Sequence, residues 1–267
     1  MTLVLDGRQQ AMLRELGIHW FQPEPPTAVT DAISSVPVRE LTPRPVQSAR
    51  AEIRQHSSPM PLTVAAGSVR EAAATGIELM EWDALEQAVA ECHGCALCNG
   101  RRKTVFGAGD RQADWLIVGE APGENEDLQG EPFVGQPGVL LDNMLKALGL
   151  NRHQKVYIAN VLKCRPPSNR NPEPQEVAQC EPFLRRQVEL LQPRIILAMG
   201  RFAVLALLQS NEPIGKLRGM VHRYNGVPLV VTYHPAYLLR NLADKGKAWA
   251  DLCLALEVLE QPAHSAR

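Results

Sequence analysis

Nowhere does this chain approach the ~20 consecutive apolar residues of a membrane-spanning helix, although apolar residues fill 45% of its 267 positions. A buried core is therefore possible, and a helical membrane anchor is not expected. The first residues, Met1–Arg14, lack the basic-then-apolar order of a secretory signal, so a cytoplasmic protein is expected. An excess of either charge is missing too: 28 basic residues face 29 acidic ones. Any contact with nucleic acid must then come from a local basic face rather than from the field of the whole chain. The phosphate-cradling pattern Gly-x-x-x-x-Gly-Lys-Ser/Thr is absent, which counts against an NTPase. In a cytosolic chain, disulfides are a poor reading of the six cysteines present.

The first 80 residues are poor in pattern, with one exception. Residues 1–21 hold a short amphipathic helix over Asp6–Gly17, capped by Asp6 with Gln9 as the reciprocal side chain and striped by Met12, Leu13 and Leu16. Ile18, Trp20 and Phe21 follow at once. Residues 22–80 read as a flexible linker, because eight prolines lie from Pro23 to Pro61 among Ser, Thr, Val and Ala. Helical spacing returns at Trp82–Ala90, and the main domain is placed at 81–262 with a tail at 263–267.

From Asp114 onward short β-branched runs alternate with helical stretches. Strands are expected at Trp115–Val118, Val156–Val161, Ile195–Met199 and Leu229–Thr232. Helices are expected at Val139–Leu148, from Asn171-Pro172-Glu173 to about Leu191, at Phe202–Leu208 and at Ala248–Leu259. The alternation implies an α/β fold, a three-layer α/β/α arrangement around a four-stranded parallel sheet. Ligands then bind beyond the carboxyl ends of the strands. Those ends carry Gly119-Glu120-Ala121-Pro122-Gly123, Asn160 leading to Cys164-Arg165-Pro166-Pro167, Gly200-Arg201, and His234-Pro235-Ala236-Tyr237-Leu238-Leu239-Arg240.

The cysteines offer a second signal. Cys92 and Cys95 form a Cys-x-x-Cys pair, as do Cys95 and Cys98, and Cys164 and Cys180 complete a possible set of four thiolates. Such a set suits zinc or an iron–sulfur cluster. The alternative is that Cys164 and Cys180 are small buried hydrophobes, and spacing does not choose between Cys92 and Cys98. Cys253 falls on the apolar face of the last helix and reads as core.

Four separated motifs, Gly119–Gly123, Pro132-Phe133-Val134-Gly135, Asn160 through Pro167, and His234–Arg240, together with the cysteine pattern, resemble family 4 uracil-DNA glycosylases from about Ala90 to Leu259. The resemblance implies excision of uracil from DNA by hydrolysis of the N-glycosidic bond, the first step of base excision repair. It also implies a 4Fe–4S cluster on Cys92, Cys95, Cys164 and Cys180, with Cys98 a bystander. The alternative is a replisome adaptor that keeps the fold without the activity.

A base in duplex DNA must be flipped out to be reached. The resemblance then makes Phe133 the stacking surface, Asn160 the reader of the uracil edge and His234 the group at uracil O2. Gly119, Glu120 and Ala121 would form the floor. Read from residue type alone, Phe133 has the alternative of a core aromatic and Asn160 that of a strand-end turn residue. Family 1 enzymes carry a water-positioning aspartate where this chain has Ala121, which leaves Glu120 as the nearby carboxylate. Glu124, Glu126 and Asp127 read as a solvated helix start. Leu238 and Leu239 sit in a loop, one suited to wedging into DNA, and Arg165, Arg170 and Arg240 are expected phosphate contacts. Residues 8–20 are weakly similar to the amino-terminal peptide of the bacterial polymerase psi subunit, which implies a clamp-loader contact through residues 1–21, unless the helix packs back on the core. The core is expected to be monomeric.

Overall fold

The computed structural model describes residues 76–261. The expected amino-terminal helix, most of the linker and the tail lie outside the described residues. Residues 77–79, expected within the linker, form a 3-10 turn that buries Ile77. Ile77 joins Leu85, Val89, Phe106 and Phe183 in a small apolar cluster.

The elements are α1 (Trp82–Ala90), β1 (Ala108–Gly109), β2 (Trp115–Gly119), α2 (Glu124–Gln129), α3 (Gln136–Ala147), β3 (Val156–Asn160), α4 (Pro174–Leu191), β4 (Ile195–Met199), α5 (Arg201–Leu208), α6 (Ile214–Leu217), β5 (Val221–Tyr224), β6 (Val227–Thr232), α7 (Pro235–Arg240) and α8 (Lys245–Glu260). The sheet order is β1-β3-β2-β4-β6-β5. The four inner strands are parallel, and every residue of β2, β3 and β4 is buried, which is why their sequences are unbroken apolar runs rather than alternating ones.

Alternate side chains feed two cores. Trp115, Ile117, Ile158, Leu197 and Val230 pack with α3 and α8 on one face. Leu116, Val118, Ala159, Ile196, Ala198 and Val231 pack with α4 and α5 on the other. The layering is α/β/α.

Two expectations need correction. The sheet has six strands, not four, because antiparallel edges β1 and β5 close it. The two-residue β1 has no side-chain pattern to read; Gly109 approaches the backbone of Val156 and Arg152 too closely for a side chain. The β5–β6 hairpin turns on Asn225-Gly226, both at positive φ, a strong hairpin signal. The second correction concerns α4, which starts at Pro174 rather than at Pro172. Glu173 is its cap, and the Glu176 carboxylate accepts the Glu173 N–H at 2.9 Å.

Candidate active site and cysteine centre

The carboxyl ends of β2 and β3 meet where Gly119 pairs with Asn160. A Cβ on Gly119 would overlap Asn160 Oδ1 and lie 2.6 Å from Phe133 Cζ. The glycine therefore lets an amide and an aromatic ring converge on bare backbone. Asn160 is buried, and its Oδ1 is the buried side-chain oxygen left without a hydrogen-bond partner among the described residues. Such an orphan costs about 1–3 kcal/mol and calls for an explanation.

Phe133 adopts a left-handed backbone (φ 54°) that a bulky residue rarely takes. Its surroundings hold it there. Arg152 donates from Nη2 to the Phe133 carbonyl at 2.8 Å and from Nη1 to the Pro132 carbonyl at 3.3 Å. Gly138 packs so closely on the Phe133 carbonyl that no Cβ fits. Glu126, expected as solvated, is buried, and its carboxylate accepts N–H groups from Gly123, Val134 and Gly135 at 3.0–3.1 Å. One side chain thus ties the loop after β2 to the loop carrying Phe133.

The Phe133 ring stacks on His234, with centroids 5.3 Å apart. His234 caps α7, and the Ala236 N–H donates to its Nδ1 at 3.2 Å. A nitrogen that accepts a hydrogen bond carries no proton, so the neutral ring holds its proton on Nε2. Burial, with Arg240 adding to it and Glu126 opposing it, pushes His234 down to about 4. The imidazole is therefore neutral at neutral pH and offers one Nε2–H donor. Gly200 (φ 93°) makes room for it, since a Cβ there would stand 3.0 Å from His234 Cβ.

Glu120 is partly buried, and desolvation pushes its carboxyl up to about 7. The folded state thus holds a proton that the unfolded chain releases near the ordinary carboxylate value. Stability from this group is full below that value, declines as pH rises and is lost above about pH 7. Glu120→Gln should leave the melting temperature unchanged near pH 4 and raise it at pH 8, by roughly 2–4 °C per kcal/mol recovered. Scanning calorimetry at the two pH values checks this, and equal shifts at both would contradict it.

Several candidates stand elsewhere. Leu238, expected as a DNA contact, is buried in the core on the α3–α8 face, because residues 235–240 form α7 rather than a loop. Leu239 and Arg240 are exposed. Arg170 is not a free cation: it makes two hydrogen bonds to the Glu176 carboxylate at 2.6 and 2.9 Å. Arg165 donates to Asn169 Oδ1 at 2.8 Å and faces Glu124 at 3.6 Å. Ala121 is partly buried beside the core on the α4–α5 face.

Cys92, Cys95, Cys98, Cys164 and Cys180 line one pocket together with Arg101 and Lys163. None is in a disulfide. The five thiols thus face one shared space among the described residues. Arg101 closes the ring: it donates to the Cys92 and Ala90 carbonyls at 2.7 and 2.9 Å and to Cys164 Sγ at 3.3 Å. The Gly94 N–H donates to Cys92 Sγ at 3.4 Å. Cys98 donates instead to Asn99 Oδ1 at 3.5 Å. Burial pushes Cys180 up to about 12, so without a bound cation this thiol keeps its proton and is no nucleophile.

Arg152 and Lys163 escaped the sequence reading, and Glu126 was placed in solvent. Only Glu126 had a readable signal, three residues after a glycine that caps α2.

Comparison with known proteins adds a separate line. Residues 106–253 match the family model described as the uracil DNA glycosylase superfamily. A type-4 uracil-DNA glycosylase of Saccharolobus solfataricus is 43% identical over 168 residues, covering 60% of this chain and 77% of that protein. Those of Archaeoglobus fulgidus and Thermotoga maritima are each 41% identical, covering 59% and 63% of this chain and 82% and 87% of their own.

Proposed function

Since this chain belongs to the uracil DNA glycosylase superfamily, in its type-4 branch, we infer that the rim of β2, β3 and β6 is where it excises uracil from DNA. The chain is a uracil-DNA glycosylase, a hydrolase of the N-glycosidic bond that acts in DNA repair. The observation that carries the assignment to this rim is the orphaned Asn160 Oδ1, aimed at the point where Gly119 has no side chain. An amide there offers an acceptor to uracil N3–H and a donor to O4, and so reads the edge of a flipped base.

Phe133 supplies the flat apolar surface. His234 donates from Nε2 to uracil O2, where negative charge gathers as the bond to the sugar breaks. A neutral donor stabilises that charge without first needing a proton from solvent. Water then adds to the sugar carbon. With Ala121 offering no carboxylate, Glu120 takes the water proton once it is ionised, above about pH 7.

Cys92, Cys95, Cys164 and Cys180, four thiols lining one pocket, fit the four-thiolate set of a 4Fe–4S cluster. When bound, the cluster supplies a cross-link between the segment before β1 and the β3–α4 region, not a step in the reaction. Cys98 lines the same pocket, and its hydrogen bond to Asn99 Oδ1 supports the reading that it is a bystander.

The test uses the full chain, purified without oxygen, on a single-stranded and a double-stranded uracil oligonucleotide. Free uracil, with an alkali-labile site left behind, is the expected product, and the protein should contain about four irons and four sulfides per chain. Absence of uracil release from both substrates would defeat the enzymatic reading and leave the adaptor. Zinc in place of iron would defeat the cluster.

A further inference from the structure

Lys163 is one of the largest side chains to be fully buried in the described fold. Its Nζ donates to three oxygens: Gln187 Oε1 at 2.6 Å, the Asn160 carbonyl at 2.9 Å and the Phe106 carbonyl at 3.1 Å. Three acceptors around one nitrogen match the three N–H donors of an ammonium ion. All three oxygens are uncharged, so hydrogen bonds satisfy the ion but do not neutralise it. A buried charge of this kind is costly unless an opposite charge stands near. Among the described residues the acidic groups lining its surroundings are the thiols of the cysteine pocket, which Lys163 and Arg101 line together with Cys92, Cys95, Cys98, Cys164 and Cys180.

The same side chain reaches the base site. Its bond to the Asn160 carbonyl fixes the peptide that follows Asn160, at the point where β3 ends. The Val161 and Leu162 N–H groups hold the next two residues to the Gly119 and Glu120 carbonyls. Gln187 completes the link from α4. It lies two turns after Cys180 on one face of the helix, and it donates to the Phe106 carbonyl at 3.0 Å.

We propose that Lys163 is a positioning residue that joins the cysteine centre to the uracil site, serving as counter-cation to the thiolate-bound cluster and as the brace that sets the Asn160 amide. The proposal rests on the cluster reading above. It gives the cluster a consequence for base recognition without any electron transfer: the charge that keeps the ammonium in place also keeps Asn160 in register with Gly119.

The experiment compares wild type, Lys163→Met, Gln187→Met and Asn160→Ala as full-length, anaerobically purified proteins. Three quantities are read: the rate at which a chelator bleaches the cluster, the cluster's reduction potential, and affinity for an oligonucleotide with non-hydrolysable 2′-fluoro-deoxyuridine, normalised to iron content. Lys163→Met should bleach about 10-fold faster, shift the potential negative and bind the probe about 10-fold more weakly per iron-loaded chain. Gln187→Met should move all three in the same direction by less, which keeps the test open if Lys163→Met does not fold. Asn160→Ala should weaken probe binding alone. Wild-type bleaching and potential in the Lys163 and Gln187 variants, or faster bleaching with unchanged probe affinity, would overturn the link and leave the cluster standing. Wild-type protein free of iron and sulfide would overturn both.

Discussion

Replacing His234 with alanine should slow single-turnover uracil excision by roughly 10²–10³-fold, the usual cost of removing one preorganised donor from a developing anion. Binding of the non-hydrolysable oligonucleotide should change far less, because uracil O2 carries little extra charge before the bond breaks. The reason lies in the local geometry. The Ala236 N–H occupies Nδ1, so the proton must sit on Nε2, and burial holds the ring neutral down to about pH 4. An unfolded histidine takes up a proton near 6.5, and this folded one resists until about 4. Stability should therefore be full above pH 6.5 and fall as pH drops toward 4. Rapid-quench kinetics at pH 7.5 and a titration of the ring by NMR test the two halves. A variant retaining full activity, or a ring that titrates near 6.5, would remove His234 from the role.

The second large effect is at Asn160, and its signature is a split between function and stability. Its Oδ1 is buried without a partner, so Asn160→Ala removes an unsatisfied acceptor as well as a side chain. Thermal stability should stay level or rise, by up to the 1–3 kcal/mol that such an orphan costs. Excision should fall about 10²-fold or more, since a site built to hydrogen-bond one edge loses its discrimination when that group goes. Parallel melting curves and excision kinetics read both. A variant that is both inactive and strongly destabilised would mean that Asn160 holds the strand together rather than reading the base.

These two residues were legible because strand ends in a parallel sheet collect the polar residues that the buried strand interiors exclude. The inner strands were legible for the complementary reason: Ile195–Met199 and its neighbours are buried on both faces and carry unbroken apolar sequence. The edges were harder. Ala108–Gly109 has nothing for a period to act on, and α7 is six residues long, its one clear sign the proline directly after His234. Leu238 looked exposed only because α7 was read as a loop. Buried and partly buried charges were the least legible. Glu126 and Arg152 act through backbone groups of loops whose shape no pattern of side chains encodes. Lys163 reads as surface until α4 is seen to bring Gln187 over it.

The cysteine ring also imposes an order on the making of the molecule. Cys92 and Cys95 leave the ribosome before the segment after β3 that carries Cys164 and the helix that carries Cys180 exist. At about 5–20 residues per second, the nearly 70 residues from Cys95 to Cys164 take roughly 3–14 s. For that time the first two thiols have no partners, and the segment from Ile77 to Arg101 has no β3–α4 surface to lie against. The half-made chain is thus most open to oxidants before its last strands appear, and the yield of active protein should depend on how oxidising the surroundings are while it is being made.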